Sequence, residues 1–143
     1  MIDQKVLDFV DKHRICVLTT LLSDGSPHSA ALHYSADLDL LQFYCITEKT
    51  TRKLQSLLRE KQGKASMVIG FSEEEFVTLQ MEGAVQILEE QVATKHAWDS
   101  FIEKYPQAVV RQTDSAFVIL SFQPTWWRLS EFRPKPPKFV SSE

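Results

Sequence analysis

Several things are scarce in this chain, and each scarcity removes a class of function. Two cysteines, Cys16 and Cys45, are too few and too far apart for a disulfide framework or a zinc cluster. Both sit inside apolar runs, which predicts buried, reduced thiols. No window holds the roughly 18 consecutive apolar residues of a membrane-spanning helix. The start, Met1-Ile2-Asp3-Gln4-Lys5, lacks the basic-then-apolar pattern of a secretory signal. Together these absences predict a cytoplasmic protein with no membrane partner. Positive charge is not in excess, since 16 Lys and Arg stand against 19 Asp and Glu, a net charge of −3. Such a chain has no surplus of cations to neutralise nucleic-acid phosphates, so no nucleic-acid partner is expected. Histidine is sparse as well. His28 and His33 lie five apart on one expected strand and face opposite ways, while His13 and His96 fall on separate expected helices, so no metal site is expected. Neither a Ser-His-acid arrangement nor a dinucleotide fingerprint stands out.

What is present reads as one domain of alternating short strands and a few helices. Ile2, Val6, Phe9, Val10 and His13 recur at helical spacing and predict an amphipathic first helix. Strands are expected from Ile15 to Leu22 and from His28 to Tyr34, joined by the turn Ser23-Asp24-Gly25-Ser26-Pro27, with Ser35-Ala36-Asp37 closing the second. A third strand runs from Leu40 to Thr47, and two hairpins in succession predict an antiparallel meander. Thr50 to Gln62 is expected to be helical, with Leu54, Leu57 and Leu58 on one face. Strands follow from Lys64 to Phe71 and from Phe76 to Leu88, where the interior Gly83 marks a bulge or a close approach. A helix over Gln91 to Tyr105 turns Val92, His96 or Ala97, and Phe101 inward. Ala116 to Phe122 and Trp126 to Phe132 are the last strands, separated by Pro124, and the Pro-rich tail from residue 134 is expected to be an extended surface segment outside any sheet. About seven strands and about three helices in this order fit an α+β barrel.

One segment carries an electrostatic anomaly. Thr50 or Thr51 is a good N-cap for the second helix, yet Arg52 and Lys53 then occupy its first turn. There the helix dipole prefers acids, and each misplaced cation costs on the order of 0.3–1 kcal/mol. A bound anion reverses that cost. Backbone N–H groups, a threonine hydroxyl, a guanidinium and an ammonium together make a phosphate cradle. The competing reading is a solvated basic patch. Trp126 and Trp127 are adjacent, so on a strand they face opposite ways: either one packs in the core and the other stacks on a ligand or a partner, or both are packing residues.

Four pieces of sequence, in this order, resemble the pyridoxamine-phosphate-oxidase-like FMN-binding split barrels. They are Leu18-Thr19-Thr20 through Asp24-Gly25-Ser26-Pro27-His28 to Ala31; Phe43-Tyr44-Cys45-Ile46-Thr47 leading into Thr51-Arg52-Lys53-Leu54; Gln80-Met81-Glu82-Gly83; and Pro124-Thr125-Trp126-Trp127-Arg128. The resemblance implies an antiparallel split β-barrel over residues 1–133, with 134–143 as a tail, and a homodimer holding FMN at its interface. It implies that Thr50, Thr51, Arg52 and Lys53 hold the flavin phosphate, that Ile46 and Thr47 face the ring, and that Ser29 and Ala31 line its other edge. Gln80 falls where the family supplies a polar group, and Trp126, Trp127 and Arg128 would come from the partner or close the pocket. The chain departs from true pyridoxamine-phosphate oxidases in one respect: its second strand, Ser29-Ala30-Ala31-Leu32-His33-Tyr34, has no Arg or Lys for a substrate phosphate. The resemblance thus implies a flavin-dependent oxidoreductase of undefined substrate. A non-catalytic flavin-binding or redox-sensing module, or a haem- or deazaflavin-binding relative, stands as the alternative.

Overall fold

A curled antiparallel sheet organises the chain in a computed structural model that describes residues 2–143. Helix α1 (Gln4–Lys12) starts where the Asp3 carboxylate accepts the Lys5 N–H at 2.8 Å, and it buries Val6, Phe9 and Val10. The strands are β1 (Ile15–Leu21), β2 (Pro27–His33), β3 (Ser35–Asp37), β4 (Gln42–Glu48), β5 (Gln62–Ile69), β6 (Val77–Ile87), β7 (Phe117–Glu131) and β8 (Lys138–Ser141). Seven of them follow the order β2-β1-β5-β6-β7-β4-β3, all antiparallel, and β8 pairs β7 off that path. This is the expected α+β split barrel.

The connections differ from the meander. The β1–β2 and β3–β4 hairpins lie at opposite ends of the strand order, because β4 pairs with β7, some 70 residues later, rather than with β2. Ser35-Ala36-Asp37 is a short strand against β4 instead of a closing turn. Inside the curl, Leu18, Phe43, Met67, Ile69, Leu79, Met81, Leu120 and Phe122 form the main core. Outside it, α3 (Gln91–Lys104) packs Ala97, Trp98 and Phe101 on Tyr44, Ile46 and Ile119. Val92 points to solvent at 74% exposure, because the inner face of α3 begins only at Ala97.

The expected helix over Thr50–Gln62 is two short pieces, a 3-10 turn (Arg52–Leu54) and the four-residue α2 (Leu57–Glu60). Thr51 keeps an extended ψ of 149°, and its hydroxyl donates back to the Glu48 carbonyl at 2.9 Å instead of capping a helix. Lys61, at φ 67°, ends α2. Leu54 and Leu57 are buried while Leu58 is exposed, since no single helical face spans the break. The dipole argument for Arg52 and Lys53 therefore falls, as a single 3-10 turn has almost no macrodipole.

Pro124 does not divide the last strand. β7 runs unbroken for 15 residues, and at Glu82/Gly83 its register against β6 shifts, with Gly83 opposite Pro124 and Glu82 opposite Trp126. Thr125 is the extra residue of this bulge, where a proline without an N–H is tolerated. Gly83 is required because a Cβ there would lie 2.1 Å from the Gln123 carbonyl oxygen. The bulge also switches parity. Before it Leu120 and Phe122 face the core, and after it Trp127 and Leu129 do, which turns Trp126 and Arg128 outward. The tail likewise rejoins the sheet, since Lys138–Ser141 form β8 beyond the prolines.

Candidate functional site

The turn after β4 is built by threonines. Thr47, 5% exposed near the end of β4, brings its hydroxyl 3.2 Å from that of Thr51, and the Thr51 N–H bonds to the Glu48 carbonyl at 3.2 Å. These contacts fold the Arg52–Leu54 turn back against β1 and β2, where the Thr20 hydroxyl donates to the Lys53 carbonyl at 3.1 Å. The turn presents Thr50 and Arg52 to solvent and draws Lys53 inward. Lys53 is only 6% exposed, and among the described residues no carboxylate lies within ion-pair distance of it. Burial pushes its ammonium pKa below the ordinary 10.5, only partly opposed by Cys45 and Glu48. A lysine in this position is costly unless something supplies negative charge, because a desolvated cation without a partner has lost its hydration for nothing.

Beside this turn the two edges of the curled sheet face one another. A cleft of about 380 Å³ opens between β2 and β4, with Ala31 and His33 on one wall and Ile46 on the other. Its roof comes from the end of α3 and the following 3-10 turn (Pro106–Arg111), through Phe101, Tyr105 and Arg111. The Tyr105 hydroxyl donates to the Tyr34 carbonyl at 2.6 Å and lies 3.0 Å from that of Arg14, which ties α3 to the strands below. Burial pushes the Tyr105 pKa up to about 12, so the phenol keeps its proton at neutral pH. Among the described residues no acidic side chain lines the cleft. The sequence singled out Ala31 and Ile46; it gave no role to Tyr105 or Arg111, which reach the cleft only through the packing of α3.

Of the remaining residues singled out from sequence, Ser29, Gln80, Trp126 and Arg128 lie on the outer face of the sheet. Register places Ala31, Val17, Val68, Gln80 and Arg128 side by side across β2, β1, β5, β6 and β7. The neighbouring row is Ser29, Thr19, Ser66, Glu82 and Trp126, with Ser29 and Thr19 hydroxyls 2.7 Å apart. At about 4.8 Å per strand, Gln80 stands roughly 14 Å and Arg128 roughly 19 Å from Ala31. Trp127 is separated from all of these. It points inward beside Met81 and packs on the main core. The structure thus places Ser29 and Ala31 on β2 near Ile46 on β4, with Thr47 and Thr50 to Lys53 at the turn that follows β4, and Gln80, Trp126 and Arg128 three and four strands from β2 on the outer face.

Comparison with known proteins agrees with this architecture. The model of the family described as pyridoxamine 5'-phosphate oxidase matches residues 2–131. General stress protein 26 of Bacillus subtilis is 28% identical over 138 residues, covering 95% of this chain and 93% of that protein. Among solved structures, a Clostridium acetobutylicum protein related to general stress protein 26 superposes with a TM-score of 0.70 at 22% identity, over 98% of this chain and 95% of its own. A heme binding protein from Mycobacterium smegmatis gives a TM-score of 0.76 at 13% identity, over 96% of this chain and 56% of its own. No helix among the described residues is long and apolar enough to cross a membrane.

Proposed function

The chain belongs to the pyridoxamine 5'-phosphate oxidase family, and on that premise we propose that it is a cytoplasmic, homodimeric FMN-binding oxidoreductase acting on a small molecule. The observation that carries this reading is Lys53, nearly buried and without a counter-ion, beside exposed Arg52 and the hydroxyls of Thr50 and Thr51. A phosphate dianion there supplies the missing negative charge and accepts charge-assisted hydrogen bonds from both cations. Ile46 and Thr47 follow β4 from the cleft to this turn, and Ala31 forms the facing wall, so a flat ring system attached to that phosphate has an adjoining slot of mixed polarity, with Ile46 and Phe101 beside His33 and Arg111. FMN, when bound, supplies the hydride and electron chemistry. The chain's own residues hold the phosphate, orient the ring and exclude water.

The homodimer is what the family resemblance implies, and the spacing of the candidate residues supports it. Gln80, Trp126 and Arg128 lie three and four strands from Ala31, which favours their serving a ligand held by another copy. A second copy laid face to face brings its Gln80, Trp126 and Arg128 to that ligand. The substrate is not expected to be pyridoxamine phosphate, since β2 offers Ser29, Ala31 and His33 and no Arg or Lys. A haem reading has one observation in its favour, the exposed His33 on the cleft wall, where an imidazole is free to ligate iron.

Parallel titrations of the purified protein with FMN and with haem decide between these readings. One FMN per chain, with quenched flavin fluorescence, supports the proposal; tight haem binding with no FMN uptake overturns it. Bleaching of the bound flavin by NAD(P)H with turnover then supports the enzyme, and a flavin that is bound but never turned over supports a non-catalytic module.

A further inference from the structure

Two aromatic rings lie within cation–π reach of exposed Arg128. Its guanidinium carbon lies 5.4 Å from the Trp126 ring centroid and 5.7 Å from that of Phe139. Trp126 comes from the same strand, whereas Phe139 comes from β8, which sets Ser141 opposite Arg128 and Phe139 opposite Ser130. Phe139 is 56% exposed, a large apolar surface to leave in water. It is nevertheless braced: Phe132 meets it edge-on at 6.2 Å, and Phe76 meets Phe132 the same way at 5.5 Å. No carboxylate pairs with Arg128 among the described residues. A guanidinium held beside two aromatic rings loses rotamer freedom, yet the N–H groups around its rim stay open to an acceptor.

Resting on the homodimeric flavin reading above, we propose that Phe139 is a positioning residue of the cofactor site. β8 completes the aromatic pair, and the pair aims the Arg128 guanidinium across the interface at the acceptor-rich edge of the flavin held by the other copy. The site is then incomplete without the C-terminal strand, and Phe139 acts through Arg128 instead of touching the reaction.

FMN titrations of wild type, Phe139→Ala, Phe139→Leu, Phe139→Tyr, Arg128→Ala and the Phe139→Ala/Arg128→Ala double variant test this, with molar mass by light scattering alongside. Loss of one cation–π face is expected to weaken FMN binding about three- to tenfold in both Phe139→Ala and Phe139→Leu, the latter keeping the apolar bulk of β8. Phe139→Tyr restores affinity to near wild type, and the double variant binds no worse than Arg128→Ala, because the two positions act as one unit. The dimer mass stays unchanged throughout. Wild-type affinity in Phe139→Ala, additive losses in the double variant, or loss of the dimer along with affinity each overturn the proposal. A wild-type protein that takes up no FMN instead overturns the flavin reading, and this inference with it.

Discussion

Gly83→Ala is the substitution whose cost the structure specifies most directly. A Cβ at this position would lie 2.1 Å from the Gln123 carbonyl oxygen, and 2.9 Å from both the Gln123 carbonyl carbon and the Pro124 Cα. All three obstacles are backbone atoms of the paired strand, so no side chain can swing aside. Either β6 and β7 separate at the bulge or the bulge is lost. Overpacking of this kind costs about 1–3 kcal/mol, and the backbone origin of the clash places this case near the upper end, at about 3 kcal/mol. For a domain of this size each kcal/mol lowers Tm by about 2–4 °C. Gly25→Ala is the control: its φ of +86° carries strain for a side chain, but among the described residues no atom beyond its chain neighbours lies within 4 Å of the added Cβ. Its expected loss is about 1–2 kcal/mol. Because the bulge also turns Trp126 and Arg128 outward, Gly83→Ala should weaken FMN binding even at temperatures where the variant is folded. Urea denaturation and FMN titration measure the two effects. A Gly83→Ala protein within about 0.5 kcal/mol of wild type would refute the close-approach argument.

Two further predictions rest on burial. Cys16 and Cys45 are 0% and 2% exposed, and the Cys45 thiol is held well above its ordinary pKa, first by its hydrogen bond with Cys16 and then by burial. Neither should react with a thiol reagent in the native state, while two equivalents should react after denaturation; rapid native labelling would contradict the core placement. His13 has its pKa lowered from 6.5, chiefly by burial, with Glu75 opposing. The unfolded chain then binds more protons than the folded one below about pH 6.5, so stability should rise with pH across that window. His13→Gln should flatten this dependence in denaturation curves at successive pH values, and an unchanged slope would remove His13 as its source.

Elements whose logic is local were legible in the sequence. The first helix follows from apolar spacing, the β1–β2 hairpin from Asp24-Gly25, and Gly83 from its place inside a strand. Long-range features were not. The β4–β7 pairing depends on contacts across some 70 residues, and β8 is hidden behind a Pro-rich segment that locally argues against any sheet. Pro124 looked like a boundary because only the bulge, a property of two strands together, makes room for it. The candidate site shows the same division. Arg52 and Lys53 stood out by their charge, but for a reason that fails, since no long helix follows them. What distinguishes Lys53 is burial without a counter-ion, which no one-dimensional pattern reports.

That lysine offers the most direct test. Lys53→Met keeps the length and apolar stem of the side chain and removes only its charge. In the absence of ligand the variant should be at least as stable as wild type, because an unpaired buried cation is costly to keep. Its FMN affinity should fall about 10- to 100-fold, the worth of one charge-assisted contact. Isothermal titration of FMN into Lys53→Met and wild type, with thermal melts of both apoproteins, reads the two effects together. Weakened binding with undiminished stability is the predicted result; FMN affinity equal to wild type would contradict the assignment of this turn as the flavin phosphate site.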